Sequence, residues 1–181
     1  MRLGATTILA AVSAVLVTFG IGRAQEAPLS EYRLKAAFLF NFAKFVEWPP
    51  EAFVGPKSPM VIGVLGDNPF GTELEETVRN KVINERPVVV KVFQPPAAAT
   101  NCHILFISTS EKKRLPEIFE SLRRASVLTV GETDGFTETG GMINFVPEGN
   151  KMRFQINDEA ARKAKLSISS KLLSLALRPP R

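Results

Sequence analysis

Cysteine occurs once in this 181-residue chain, as Cys102, and histidine once, as His103. A lone cysteine excludes an internal disulfide, so a packed core must hold the fold. The apolar run at 104–107 beside it favours a buried filler over a free thiol. One histidine leaves His-based metal clusters and Ser–His or Cys–His triads without material. His103 therefore reads as a strand-edge residue meeting a backbone carbonyl. A strong charge of one sign is also lacking. Lys and Arg number 23 against 18 Asp and Glu, a net +5, with no basic cluster interleaved with aromatics. That balance argues against nucleic acid as a partner. Repeats, low-complexity tracts, a G-x-G-x-x-G fingerprint and a phosphate loop ending in Gly-Lys-Ser/Thr are all missing, and no cofactor is expected.

What the chain does have begins at its N-terminus. Met1-Arg2 is basic, residues 8–19 form an apolar core, and Gly22-Arg23-Ala24 supplies small residues. That order predicts a secretory signal peptide over 1–24, with Gln25 as the mature start. The alternative is a membrane anchor, since residues 3–22 carry no charge, but Gly, Ser and Thr dilute the run. No cysteine follows it, so a lipidated N-terminus is not expected. The layout is a signal peptide at 1–24, one α/β domain over 25–178 and a tail at 179–181. The expected location is the periplasm.

A helix is predicted over 31–48, with Ser30 as N-cap and Pro49-Pro50 as the stop. Leu34, Phe38, Phe42 and Phe45 recur at helical spacing, widened by Tyr32, Leu39 and Val46. Phe40 falls in the narrow polar stripe with Arg33 and Lys44. An aromatic there is either covered by another part of the chain or offered to a partner. Tyr32, Arg33, Phe40 and Lys44 are thus the candidate partner-binding residues.

Residues 60–65 form a continuous apolar run, the pattern of a strand covered on both faces. Thr72-Glu73-Leu74-Glu75 has the form of a capping box, opening a helix to about Ile83 with Leu74, Val78 and Val82 inward. Strands are predicted at 88–93, 104–107 and 127–130. Between the last two lies a helical segment carrying Leu115, Ile118, Phe119 and Leu122, where Pro116 kinks the helix or marks its first turn. Residues 143–146 and 152–156 flank a hairpin signal at 148–151. Asp158 is expected to cap a helix through Lys165, and Ser169 to cap a last one bearing Leu172, Leu173, Leu175 and Ala176. The order predicts a three-layer α/β sandwich, a mostly parallel sheet extended at one edge by the hairpin.

Ligands of open α/β sheets usually sit beyond the carboxyl ends of the strands. Here those ends carry Asp67, Asn68, Phe70, Ser108, Ser110 and Glu132, the candidate ligand cleft. As a phosphate site the Gly66–Gly71 turn is a weak signal, since Asp67 and Glu132 would repel an anion, and it reads as turn and cap chemistry. The carboxylate pairs Glu75-Glu76, Glu132/Asp134 and Asp158-Glu159 lie at helix starts or turns, where they suit the helix dipole. Lys112-Lys113-Arg114 and Arg123-Arg124 read as a solvated face. No residue set pairs a nucleophile with its base, so no catalytic residue, no metal site and no enzymatic activity are expected.

Several segments in one order carry a resemblance. They are 31–49, with Tyr32-Arg33-Leu34-Lys35-Ala36-Ala37 and Phe45-Val46-Glu47-Trp48-Pro49; 62–71, with Gly66-Asp67-Asn68-Pro69-Phe70-Gly71; and 102–108. They continue with 127–132, with 140–146 around Gly140-Gly141, and with 168–176, including Ser169-Ser170-Lys171-Leu172-Leu173. Over about 31–176 the chain resembles the YfiR/HmsC-like family. The resemblance implies a periplasmic protein without known catalysis. Well-understood relatives repress a membrane-bound diguanylate cyclase through its periplasmic sensor region, until an outer-membrane OmpA-like lipoprotein captures them. Cyclic-di-GMP and biofilm formation then rise. Relatives also occur near sensor kinases, and dimers are common. Some relatives carry paired cysteines, but Cys102 has no mate, so redox control is not implied here. Lys165 stands where glycine often follows the helix. A small-molecule sensor using the strand-end cleft, and an undetected hydrolase or transferase, are the competing expectations.

Overall fold

The computed structural model describes residues 31–94 and 96–177. The signal segment 1–24, the Ser30 cap and the 179–181 tail lie outside the described residues. Helix α1 (Glu31–Phe45) leads into strand β1 (Val46–Glu47). The helix ends at Phe45, not Trp48, because Val46 and Glu47 pair antiparallel with Ile168 and Ser167 of β9 (Ser167–Ile168). Its buried stripe is Lys35, Ala36, Leu39, Phe42 and Ala43. Leu34, expected to face the core, is 36% exposed. The helix has rolled onto its alanines, whose small side chains let the backbone approach the sheet.

The sheet contains β2 (Met60–Leu65), β3 (Val82–Ile83), β4 (Arg86–Phe93), β5 (Ile104–Ile107), β6 (Leu128–Gly131), β7 (Ile143–Glu148) and β8 (Lys151–Ile156). Their order is β3-β4-β2-β5-β6-β7-β8. The five central strands run parallel, and β3 and β8 are antiparallel at the edges. The all-apolar β2 and β5 sit centrally and are buried throughout, as continuous apolar runs require.

One face of the sheet packs Ile62, Val64, Ile104, Phe106 and Val130 against α1, α2 (Glu73–Val78), α4 (Asp158–Lys163) and α5 (Ser170–Leu175). The other packs Leu65, Leu105 and Ile107 against α3 (Leu115–Leu122) and Phe136. The architecture is the predicted three-layer α/β sandwich. No helix among the described residues is long and apolar enough to cross a membrane.

Local differences have local causes. Thr72 has helical dihedrals and makes no side-chain cap bond; its hydroxyl donates instead to Glu76 Oε1 at 3.2 Å. The helix it precedes stops at Val78, and Val82, expected inward, is 60% exposed on β3. The β3–β4 turn places Asn84 and Glu85 at φ 49° and 62°, the left-handed pair a two-residue hairpin demands. Pro116 lies in the first turn of α3, behind a 3-10 turn at Thr109–Arg114. Asn157, not Asp158, caps α4: its Oδ1 accepts from Ala160 N–H at 3.0 Å. Ser169 caps α5 as predicted, accepting from Leu172 N–H at 3.3 Å. Leu175, expected on the packed side of that helix, is 56% exposed.

Two turns bear on function. After β6 the chain reverses through Phe136, fully buried, whose ring lies where Cβ atoms on Gly131 and Gly141 would come within 2.5 and 2.1 Å. After α4, Lys165 takes φ 60° while Leu166 N–H donates to Ala161 O at 3.0 Å. This is the helix ending that glycine adopts without strain, and a side chain there costs about 1 kcal/mol.

Candidate functional site

The carboxyl ends of the strands bring the predicted cleft residues together, and the first turn of α1 lies among them. Tyr32 meets Phe70 edge-on at 5.5 Å, and Phe70 meets Phe106 at 4.8 Å. Glu132, immediately after β6, accepts from the Tyr32 hydroxyl at 3.2 Å. The Lys35 ammonium pairs with both Glu132 and Glu31, and sits 4.5 Å from the centre of the Tyr32 ring. Tyr32, placed with the partner face by sequence, thus contacts two residues placed in the cleft.

The remaining cleft residues hold their own loops. Ser110 Oγ accepts from Asp67 N–H at 3.0 Å, and Ser108 is buried with its Oγ 3.5 Å from Ser110 N. Asn68 Oδ1 accepts from Phe70 N–H at 3.0 Å while its amide donates to Gly71 O at 3.2 Å. Of the other α1 residues, Arg33 and Lys44 are exposed and Phe40 is half-buried against the core, with the Lys44 ammonium 4.3 Å from its ring centre.

Lys35 is the residue that sequence reasoning missed. It lies at i+3 from Tyr32 and i+4 from Glu31, on the stripe continued by Leu39 and Phe42, and that spacing was the available signal. Burial opposes its charge, but hydrogen bonds to Glu132 and Glu31 outweigh this and raise its pKa. Burial, then the Glu132 charge, likewise raise the Tyr32 phenol. An ammonium so held is no nucleophile at neutral pH. The cluster works as a clamp between α1 and the end of β6.

The amino ends of the strands are built differently. His103 Nδ1 accepts from Val61 N–H at 3.0 Å, so the ring meets a backbone donor in addition to the Ala52 carbonyl nearby. Its ring stacks on Phe53 at 4.4 Å, and the Arg86 guanidinium lies over the Phe53 ring at 3.9 Å. Trp48 Nε1 donates to His103 O at 3.1 Å. His103 Nε2 is buried without a hydrogen-bond partner among the described residues. Burial lowers the His103 pKa, the Ala52 carbonyl opposes that shift, and the Arg86 charge adds to it. Cys102, beside it, is buried and donates to Ala99 O at 3.0 Å, and burial pushes its thiol up to about 12.

Beside these residues lies a groove of about 1070 Å³, lined in part by Lys91, Arg123, Arg124, Lys163 and Lys165, with Glu51 as its carboxylate. A smaller slot of about 280 Å³, lined by Phe119, Leu122, Val127 and Met142, shares Arg123, Lys163 and Ala164 with it. Arg123 and Arg124 therefore border a cavity, whereas Arg114 is paired with Glu111 and Glu117 on the surface. Among the described residues no group of three or more His, Cys, Asp or Glu could hold a metal ion.

The model of the YfiR/HmsC-like family matches residues 32–177. The chain belongs to that family. YfiR/HmsC-like proteins are periplasmic regulators of cyclic-di-GMP signalling. No curated protein matches the chain. The match spans both ends of the sheet, from Tyr32 of the clamp to Leu177, which pairs with Gln155 beside the β8 edge.

Proposed function

We propose that this YfiR/HmsC-like chain is an exported, non-enzymatic binding protein. It represses a membrane-bound diguanylate cyclase, or a sensor kinase, by engaging its periplasmic sensor region, and so restrains cyclic-di-GMP and biofilm formation. An OmpA-like outer-membrane lipoprotein is its proposed antagonist and a homodimer its working form. The observation that carries the reading is the family match across 32–177. The strand-tip chemistry agrees with it: Ser108, Ser110, Asn68 and Glu132 are engaged in holding loops and helix α1 together, and Cys102 carries a suppressed thiol.

The test is a pull-down from the periplasmic and membrane fractions of the native cell, read by mass spectrometry. The expected capture is a membrane protein joining a periplasmic sensor region to a cyclase or kinase domain, and deleting the chain should raise cyclic-di-GMP. Failure to capture such a protein, together with unchanged cyclic-di-GMP, would overturn the reading. Phe40→Glu, which alters the half-buried ring under Lys44, should keep the fold and reduce the capture. Undiminished capture would remove Phe40 from the interface.

A further inference from the structure

The groove at the amino ends of the strands gathers cations from three separate parts of the chain. Lys91 comes from β4, Arg123 and Arg124 from the end of α3, and Lys163 and Lys165 from the end of α4. The carboxylates near them are held loosely. Arg123 meets Glu120 at 3.3 Å and Lys163 meets Glu159 at 2.7 Å, with all four side chains at least two-thirds exposed. Lys165 meets Glu51 at 3.5 Å. Pairs so exposed contribute little and exchange readily for another carboxylate. Among the described residues, Lys91 and Arg124 form no ion pair.

Lys165 is the most informative of these residues. Its backbone sits at φ 60°, where glycine would be free of strain. The chain nonetheless carries a long cation there, and that cation lines the groove. A strained residue at a cavity rim points to a demand other than stability. The adjoining slot adds apolar walls, Phe119, Leu122, Val127 and Met142, directly beside the charges.

We propose that this groove receives an acidic segment of a protein partner, its carboxylates on Lys91, Arg124 and Lys165 and one apolar side chain in the slot. The inference rests on the reading of the chain as a protein-binding regulator and names the surface and the partner's chemistry. An open cavity of about 1070 Å³ with charges spread along its rim suits an extended segment better than an enclosed small anion. Charge complementarity of this kind chiefly sets encounter rate and specificity.

The test uses the full mature chain and a fluorescein-labelled peptide of Asp and Glu with one central Leu, read by anisotropy. Binding should weaken about tenfold between low and physiological salt, and should also weaken when the peptide Leu becomes Ser. Arg124→Glu should weaken it about tenfold without moving the melting temperature. Lys165→Gly should move the two readouts in opposite senses: melting rises by about 3 °C while binding weakens. Binding unchanged in both variants would overturn the proposal. So would displacement of the peptide by an equimolar amount of inorganic pyrophosphate, or equal binding to anionic lipid vesicles. In cells, a partner captured undiminished by the Arg124→Glu, Lys165→Gly double variant would sink the groove and leave the regulatory reading standing. No capture by the unaltered chain would sink that reading instead.

Discussion

At the carboxyl end of the sheet, Tyr32 and Lys35 descend from α1 onto Glu132 and Phe70, and the serines and asparagine of the strand tips bond to their own loops. At the amino end, five cations border an open groove beside a buried, stacked His103. Open α/β sheets usually place ligands at the first of these ends. Here the opening helix covers Glu132 and Phe70 with Tyr32 and Lys35, while Asp67, Asn68 and Ser110 stay exposed. The cation-lined groove lies at the other end. What each end offers thus depends on what the flanking helices cover as well as on topology.

The sharpest way to break this comparison is to open the closed end. Lys35→Met leaves the Glu132 side chain, only 9% exposed, beside Tyr32 with no cation, and should cost about 3–5 kcal/mol in urea unfolding. Adding Glu132→Leu should recover most of that loss, and a double variant as unstable as the single one would refute the clamp. Next comes the seat of the loop after β6. A methyl on Gly141 would fall 2.1 Å from the Phe136 ring, so Gly141→Ala should cost about 1–3 kcal/mol. Tyr32→Phe removes one bond to Glu132 while keeping the ring on Phe70, and should cost about 1 kcal/mol by the same measurement.

The smallest effect belongs to the open end. His103 has a lowered pKa in the folded chain, chiefly from burial. The unfolded chain therefore binds more protons just below its ordinary value of about 6.5, and stability falls as pH drops through that value. The decline stops once the folded-state pKa is passed. His103→Gln should flatten this part of the pH profile, and an unchanged slope would assign it elsewhere.

Legibility followed the range of the interactions. Strands β2 and β5 could be read almost to the residue, because burial on both faces writes an unbroken apolar run. The end of α1 could not, since Val46 stops being helical by pairing with a strand more than a hundred residues onward. Strand β3 was hidden because its turn uses Asn84-Glu85 where glycine at the second position would have announced a hairpin. The place of the cleft residues at the strand ends could be read from the sequence, but the clamp that α1 sets on Glu132 and Phe70 could not. It depends on Lys35, a charged residue on a buried stripe, meeting a carboxylate far along the chain. The groove escaped notice for the same reason: Lys91, Arg124 and Lys165 are neighbours only after folding.

The chain has one tryptophan and one tyrosine, and they stand at opposite ends of the sheet. Trp48 is bonded to the His103 carbonyl at one end, and Tyr32 to Glu132 at the other. Indole emission therefore reports on the surroundings of His103, and the near-ultraviolet phenol band on the α1 clamp. A single unlabelled sample carries a separate optical readout for each end, so a titration can show which of the two a partner disturbs.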